Sequence, residues 1–118
     1  MRSLIIALAA SLALTAPASA HAFLDHAEPP VGSTMDKAPA QLSLWFTEDL
    51  EPAFSGVTVT DAHGHAVGAG KAHVDAQNRR LIHVPLKALG PGTYRVKWHV
   101  LSTDTHRTQG SYTLTVGR

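Results

Sequence analysis

The strongest constraint on the fold is the alternation of apolar and polar side chains along residues 94–101. One set of alternate positions is apolar, namely Tyr94, Val96, Trp98 and Val100. Because successive side chains of a strand point to opposite faces, this period of two predicts a half-buried β-strand. Further strands are predicted by shorter alternations or apolar runs at residues 42–47, 57–59, 81–84 and 111–116. No segment has the period of an amphipathic helix.

Turn-forming residues separate these runs, as at Pro29-Pro30, Ala38-Pro39, Gly64 and Gly90-Pro91-Gly92. Short strands with turns at such intervals are typical of an all-β sandwich or barrel. The predicted fold is therefore a single small Greek-key β-sandwich or barrel, immunoglobulin-like, with about seven strands. Its expected core consists of the inward positions Leu42, Leu44, Phe46, Val57, Val59, Val84, Tyr94, Val96, Trp98, Leu114 and Val116.

The first twenty residues have the pattern of a secretory signal peptide. A single cation, Arg2, precedes an apolar run that ends in Ala18-Ser19-Ala20, and a small-residue Ala-x-Ala end is the usual cleavage site. The apolar run is shorter than the roughly 20 residues of a transmembrane helix. We expect residues 1–20 to be removed, which leaves residues 21–118 as one exported domain, most simply in a bacterial periplasm. The alternative is a retained anchor or a buried helix.

The charge and cysteine content of the mature chain narrows the class of partner. Removal of residues 1–20 leaves nine basic and nine acidic side chains. This neutral balance gives no electrostatic reason to expect nucleic acid or an anionic membrane as a partner. The chain has eight histidines and no cysteine, so an ordinary core must stabilise it and imidazole is its most abundant metal-binding side chain.

Two places are candidates for a metal site. Cleavage after Ala20 would give His21 a free α-amine beside its imidazole, a pair that can chelate one metal ion. The amine has an ordinary pKa of about 7.7–8.0, so its proton is easily displaced at neutral pH. Asp104 and His106 lie two positions apart after the longest strand, where an extended backbone would direct both side chains to one face. A solvated turn is the alternative for this pair.

Together these groups give three nitrogen donors and one oxygen donor. Such a set suits the tetragonal geometry of Cu(II), which also binds most tightly among the divalent first-row ions. Cu(I) prefers sulfur ligands, but the mature chain has no cysteine and its single methionine is Met35. His63, His65 and His73 are candidates for a second, weaker site, against the alternative of a glycine turn with solvated imidazoles.

Longer motifs carry a resemblance to a known family. They are the mature N-terminal His21, the Phe-Thr-Glu stretch within residues 38–48, the Pro-Gly-Thr-Tyr-x-Val-x-Trp strand at residues 91–98, and Ser-x-Asp-x-His followed by Gly-Ser within residues 102–111. Over essentially the whole mature chain these motifs resemble the CopC (PcoC) family of periplasmic copper-binding proteins. The resemblance implies a seven-stranded Greek-key barrel or sandwich.

The resemblance also implies the ligands of one Cu(II) ion per chain. They would be the amine and imidazole of His21, the carboxylate of Asp104 and the imidazole of His106, with Glu48 as a possible outer partner. Some relatives carry a loop rich in methionine and histidine that binds Cu(I), but residues 57–77 here contain no methionine. The chain therefore resembles the Cu(II)-only type.

The function that follows is a monomeric periplasmic protein for copper buffering, resistance, homeostasis or delivery. The resemblance implies an inner-membrane transporter of the CopD type as a possible partner. One alternative is an enzyme, since an N-terminal histidine brace also occurs in copper oxidases and monooxygenases on related scaffolds. The other is an interaction domain that binds no metal and shares only the sandwich.

Overall fold

The fold is a sandwich of two β-sheets, seen in a computed structural model that describes residues 22–117. Within these residues there are eight strands: β1 (Leu24–Glu28), β2 (Thr34–Met35), β3 (Gln41–Phe46), β4 (Gly56–Thr60), β5 (His73–Val74), β6 (Leu81–Pro85), β7 (Gly92–Leu101) and β8 (Arg107–Val116). The first sheet has the order β1-β3-β6-β5 and the second the order β2-β8-β7-β4. The prediction of an all-β sandwich is confirmed.

The alternating sequence of β7 explains why this strand anchors the second sheet. It pairs antiparallel with β8 over its full length, from Gly92 opposite Val116 to Leu101 opposite Arg107. The apolar positions of β7 from Tyr94 to Val100 are buried, while the intervening residues Arg95, Lys97 and His99 are exposed. Burial of each large apolar side chain stabilises the fold by about 1.5–3 kcal/mol, so the pattern fixes which face of the sheet packs inward.

The core lies between the two sheets and contains every residue that the sequence predicted for it. Phe46 of the first sheet meets Trp98 of the second edge to face, with ring centroids 5.2 Å apart. Further buried apolar residues complete the core: Ala22, Ala27, Leu50, Ile82, Leu86, Val100 and Tyr112. The glycine opposite Trp98 in β8, Gly110, leaves room for the indole, because a Cβ there would lie 2.6 Å from Trp98 Cζ2.

Three short strands were not predicted from the sequence. They are β1, β2 and β5, of which the last two contain only two residues each. Strand β8 also begins at Arg107, four residues earlier than the alternation at residues 111–116 indicates. The helical content of residues 22–117 is one 3₁₀ turn at Pro52–Phe54, and none of these residues form a helix long and apolar enough to cross a membrane.

One end of the sandwich joins the two sheets through backbone contacts. The loop after β3 reaches the β7–β8 turn, where Leu50 forms an isolated bridge with Ser102. The Thr103 N–H donates to the carbonyl of Asp49 at 3.0 Å. This end therefore holds the β7–β8 turn, which contains Asp104 and His106, against the first sheet.

Candidate metal centre

The five residues 102–106 form the turn between β7 and β8. The Ser102 N–H donates to the carbonyl of His106 at 3.0 Å, and the Thr105 N–H donates to the carbonyl of Ser102 at 2.8 Å. Thr105 has a φ of 73°, in the left-handed region that residues other than glycine seldom occupy. Of the two conformations considered from the sequence, an extended segment and a turn, the backbone adopts a compact turn.

The turn nevertheless brings Asp104 and His106 together. Asp104 Oδ1 lies 3.3 Å from His106 Nδ1, and both side chains are about half exposed, at 44% and 49%. Two ligand atoms that are each about 2 Å from one metal ion lie between about 2.8 Å apart when adjacent and about 4 Å apart when opposite. The observed separation falls within this range, so the pair fits two positions of one coordination sphere.

Ser102 fixes the carboxylate of this pair. Its side chain is 1% exposed, and its hydroxyl donates to Asp104 Oδ1. The same hydroxyl oxygen accepts the His106 N–H at 3.3 Å. The hydrogen bond from Ser102 lowers the pKa of Asp104 below its ordinary value; burial opposes this shift and the His106 imidazole adds to it. Ser102 was part of the sequence motif, but its supporting role was not predicted.

The first described residues of the chain are tied to both sheets near this turn. Ala22 is fully buried, and the Thr108 hydroxyl of β8 donates to its carbonyl. Phe23 is hydrogen-bonded to Thr47, the residue that directly follows β3. The Phe23 N–H donates to Thr47 Oγ1, and the Phe23 carbonyl accepts the Thr47 N–H, both at 2.9 Å. The predicted ligand His21 lies outside the described residues, directly before Ala22 in the sequence.

Glu48 is half-buried in the loop that follows β3. Within residues 22–117 its carboxylate makes no hydrogen bond or ion pair, with Asp104, His106 or any other side chain. Its role as an outer partner of the metal site stays a prediction.

The other histidines do not form the three-residue cluster considered from the sequence. His63 and His65 lie on the turn after β4 with ring centroids 6.2 Å apart. Their backbone N–H groups both donate to Asp61 Oδ1 at 2.9 Å. The bond from His65 is the largest cause of a lowered pKa at Asp61. His73 instead lies opposite His83 in the first sheet. No group of three or more histidines, cysteines or acids that could hold a metal occurs within residues 22–117.

Comparisons with known proteins agree with this fold. A family model of the CopC domain matches residues 24–117. The copper resistance protein C of Xanthomonas campestris pv. juglandis is 41% identical over 118 residues, which cover 95% of this chain and 91% of that protein.

Two solved structures are also similar. The crystal structure of CopC from Methylosinus trichosporium OB3b is 33% identical, with a TM-score of 0.76, and the match covers 82% of this chain and 94% of that chain. The crystal structure of PcoC, a methionine-rich copper resistance protein from Escherichia coli, is 35% identical, with a TM-score of 0.73, and the match covers 82% and 99%.

Proposed function

The chain belongs to the CopC domain family, whose members include copper resistance proteins, and on this premise we propose that it binds one Cu(II) ion. The proposed ligands are the α-amine and imidazole of the mature N-terminal His21, the carboxylate of Asp104 and the imidazole of His106. The observation that carries the proposal is the distance of 3.3 Å between Asp104 Oδ1 and His106 Nδ1. This pair lies at the same end of the sandwich as Ala22.

Chain connectivity supports His21 as the remaining ligand. Consecutive Cα atoms are 3.8 Å apart across a trans peptide, and Ala22 is held by Thr108, which lies only two residues beyond His106 in the chain. His21 is therefore bonded to a buried residue that is fixed beside the β7–β8 turn. Once residues 1–20 are removed, its amine and imidazole offer two nitrogen donors from one residue.

The donor set favours Cu(II) over Cu(I). Three nitrogens and one carboxylate oxygen suit a tetragonal Cu(II) ion, whereas Cu(I) prefers sulfur. Met35 packs against the core and pairs with Val116, at the opposite end of β8 from the turn. A strand rises about 3.3 Å per residue, so the length of β8 separates this sulfur from Asp104 by roughly 30 Å.

Metal binding here is coupled to protonation. A bound ion would lie between Asp104 Oδ1 and His106 Nδ1, which are 3.3 Å apart, so the neutral imidazole would carry its proton on Nε2. The α-amine of His21 must lose its proton, which costs little near neutral pH because its ordinary pKa is about 7.7–8.0. Copper affinity is therefore expected to rise with pH up to this range.

The biological role that we propose is copper buffering, resistance or delivery by a monomer in the periplasm, with a CopD-type inner-membrane transporter as a possible recipient. We propose binding rather than catalysis, because Asp104 would take a coordination position that an oxygen-activating copper site leaves open. Sustained peroxide release by the copper-loaded protein with ascorbate, above that of free copper, would contradict this choice.

The α-amine can be tested directly. The chain that starts at His21 is compared with one that carries a Gly-Ser-Gly-Ser extension, which moves the amine away from the imidazole without altering the fold. Loss of an outer partner of a metal ligand costs about 10- to 100-fold in affinity, so loss of a ligand is expected to cost more. Cu(II) affinity is measured by competition titration, with His99→Ala as a control for an exposed histidine elsewhere. Equal affinity of the two chains would refute the proposed role of the amine.

A further inference from the structure

A second pair of histidines lies on the outer face of the first sheet. We propose that His73 and His83 form a separate, weaker site for a divalent copper ion, independent of the N-terminal site. The two residues are direct cross-strand partners in the antiparallel pair of β5 and β6. Directly opposed positions place Cβ atoms about 4.5–5.5 Å apart, so both imidazoles rise from the same side of the sheet.

The separation of the two rings fits a shared metal ion. Their centroids are 5.3 Å apart, and their planes are inclined by 44°. Two imidazoles bound at about 2 Å to one ion have ring centres about 4.5 Å apart when adjacent and about 6.3 Å apart when opposite. The pair of His73 and His83 lies within these limits, so small rotations of the side chains are enough to direct one nitrogen of each ring at a common point.

Hydrogen bonds leave one nitrogen of each ring able to accept a metal. His83 Nε2 lies 2.8 Å from Asp75 Oδ1. Because an ionised carboxylate only accepts, the neutral ring carries its proton on Nε2 and its lone pair on Nδ1. His73 Nδ1 lies 3.4 Å from the carbonyl oxygen of Lys71, which places the lone pair of this ring on Nε2. Histidines that bind metals usually donate their other N–H to a carboxylate or a carbonyl in this way.

One neighbour would have to move. Gln41 Nε2 lies 3.4 Å from His83 Nδ1, the nitrogen assigned to the metal. The Gln41 side chain is exposed, so the metal would replace one long hydrogen bond that water can also supply. Since no third histidine or acid completes a cluster within residues 22–117, water would fill the remaining positions. The site is therefore expected to bind more weakly than the N-terminal one.

The pair formed by His63 and His65 is the natural comparison. Its ring separation of 6.2 Å also lies within this range, but the pair lies on a glycine turn where the His65 side chain is 79% exposed. His65 Nδ1 is 3.6 Å from Asp61 Oδ2, too far for a hydrogen bond. Within residues 22–117 no hydrogen bond orients either ring of this pair, whereas His73 and His83 each have one, so the first sheet holds the better site.

Amide NMR during Cu(II) titration tests the proposal, because paramagnetic Cu(II) broadens nearby resonances. One sample is the chain with the Gly-Ser-Gly-Ser extension, which is designed to lack the N-terminal site. The other is the chain that starts at His21, to which one equivalent of Cu(II) is added first to fill that site. In both samples, further addition of Cu(II) is expected to broaden the amide resonances of residues 71–75 and 81–85. If the proposed N-terminal site does not bind copper, the extended chain still tests whether His73 and His83 bind it.

Variants then separate the two pairs of histidines. His73→Ala and His83→Ala are each expected to weaken this binding at least tenfold, and Asp75→Asn about tenfold or more, as for other partners of metal-ligating histidines. The double variant His63→Ala with His65→Ala is expected to change it less than twofold. Unchanged chemical shifts in β7 and β8, which lie in the other sheet, verify that each variant is folded. Broadening centred on residues 63–65, or equal binding by all variants, would overturn the proposal.

Discussion

Replacement of Thr108 by valine tests whether the buried segment at Ala22 is held in place by one hydrogen bond. Valine has nearly the same shape as threonine but cannot donate to the carbonyl of Ala22. Ala22 is 0% exposed, so the carbonyl would lose its partner without gaining water. A buried polar group left without a partner costs about 1–3 kcal/mol. We expect Thr108→Val to lower the free energy of unfolding by about 2 kcal/mol, or roughly 8–16 °C in Tm for a domain of this size.

The same change is expected to weaken copper binding. If the segment around Ala22 must dock again before His21 can reach the metal, the docking cost of about 2 kcal/mol appears in the binding free energy as well. That cost corresponds to a decrease in affinity of up to about 30-fold. Urea unfolding gives the stability of the apo protein, and competition titration gives its Cu(II) affinity.

Thr113→Val is the matched control, because Thr113 is an exposed threonine of the same strand. A surface substitution of this kind is expected to change stability by less than about 0.5 kcal/mol and to leave copper affinity unchanged. If Thr108→Val destabilises the fold as expected but binds Cu(II) as tightly as the unmodified chain, the contact between Thr108 and Ala22 does not position the N-terminal ligand.

Three further substitutions test other parts of the structure. Ser102→Ala removes the donor to the Asp104 carboxylate and is expected to lower Cu(II) affinity about 10- to 100-fold in competition titrations; unchanged affinity would show that the hydroxyl does not orient the ligand. Gly110→Ala would place a Cβ 2.6 Å from the Trp98 ring and is expected to cost about 1–3 kcal/mol in urea unfolding, whereas full stability would show that the indole moves freely. The pKa of Asp61 is lowered in the folded protein, so its charge stabilises the fold above the unfolded pKa of about 3.9 and this contribution is lost as the pH falls through the folded pKa. Asp61→Asn should therefore be less stable at pH 6, with a difference that disappears in acid; a difference constant with pH would contradict this.

The long strands and the core could be predicted because their signal is local. In β7, burial alternates with the same period as hydrophobicity, so the sequence alone assigns each side chain to a face. Strand β3 shows the same pattern, with Leu42, Leu44 and Phe46 buried and the residues between them more exposed. Where one face of a strand packs inward and the other contacts water, a shift of one residue in the pairing register would bury the polar side chains and expose the apolar ones. The pattern therefore also defines the register.

The short edge strands could not be predicted because their pairing is decided by partners distant in the chain. Strand β2 has two residues and pairs in parallel with the end of β8, more than 70 residues later in the sequence. Strand β1 contains a bulge between Leu24 and His26, so its burial does not follow a simple alternation. Such pairing leaves almost no periodic signal in a short segment.

For the candidate site, the sequence indicated Asp104 and His106 as residues but left their backbone open. An extended segment and a turn were both considered, and the structure has a tight turn with Thr105 in the left-handed region. The two side chains still meet, because Ser102 is buried beneath the turn. Its hydroxyl group forms hydrogen bonds with the carboxylate of Asp104 and with the backbone N–H of His106. Burial of one serine depends on the packing of the whole sandwich, and no local pattern indicates it.

The two copper sites that we propose differ in how their ligands are held before the metal arrives. At the end of the sandwich, Asp104 and His106 are positioned by a buried hydroxyl, and the chain start is bonded to Ala22, which β8 holds. At the outer face, the sheet register alone places His73 opposite His83. Ordering ligands in advance reduces the entropy that binding must overcome, and both sites have this advantage. The number of donors therefore decides which is tighter, and the end site, with four against two, should fill first.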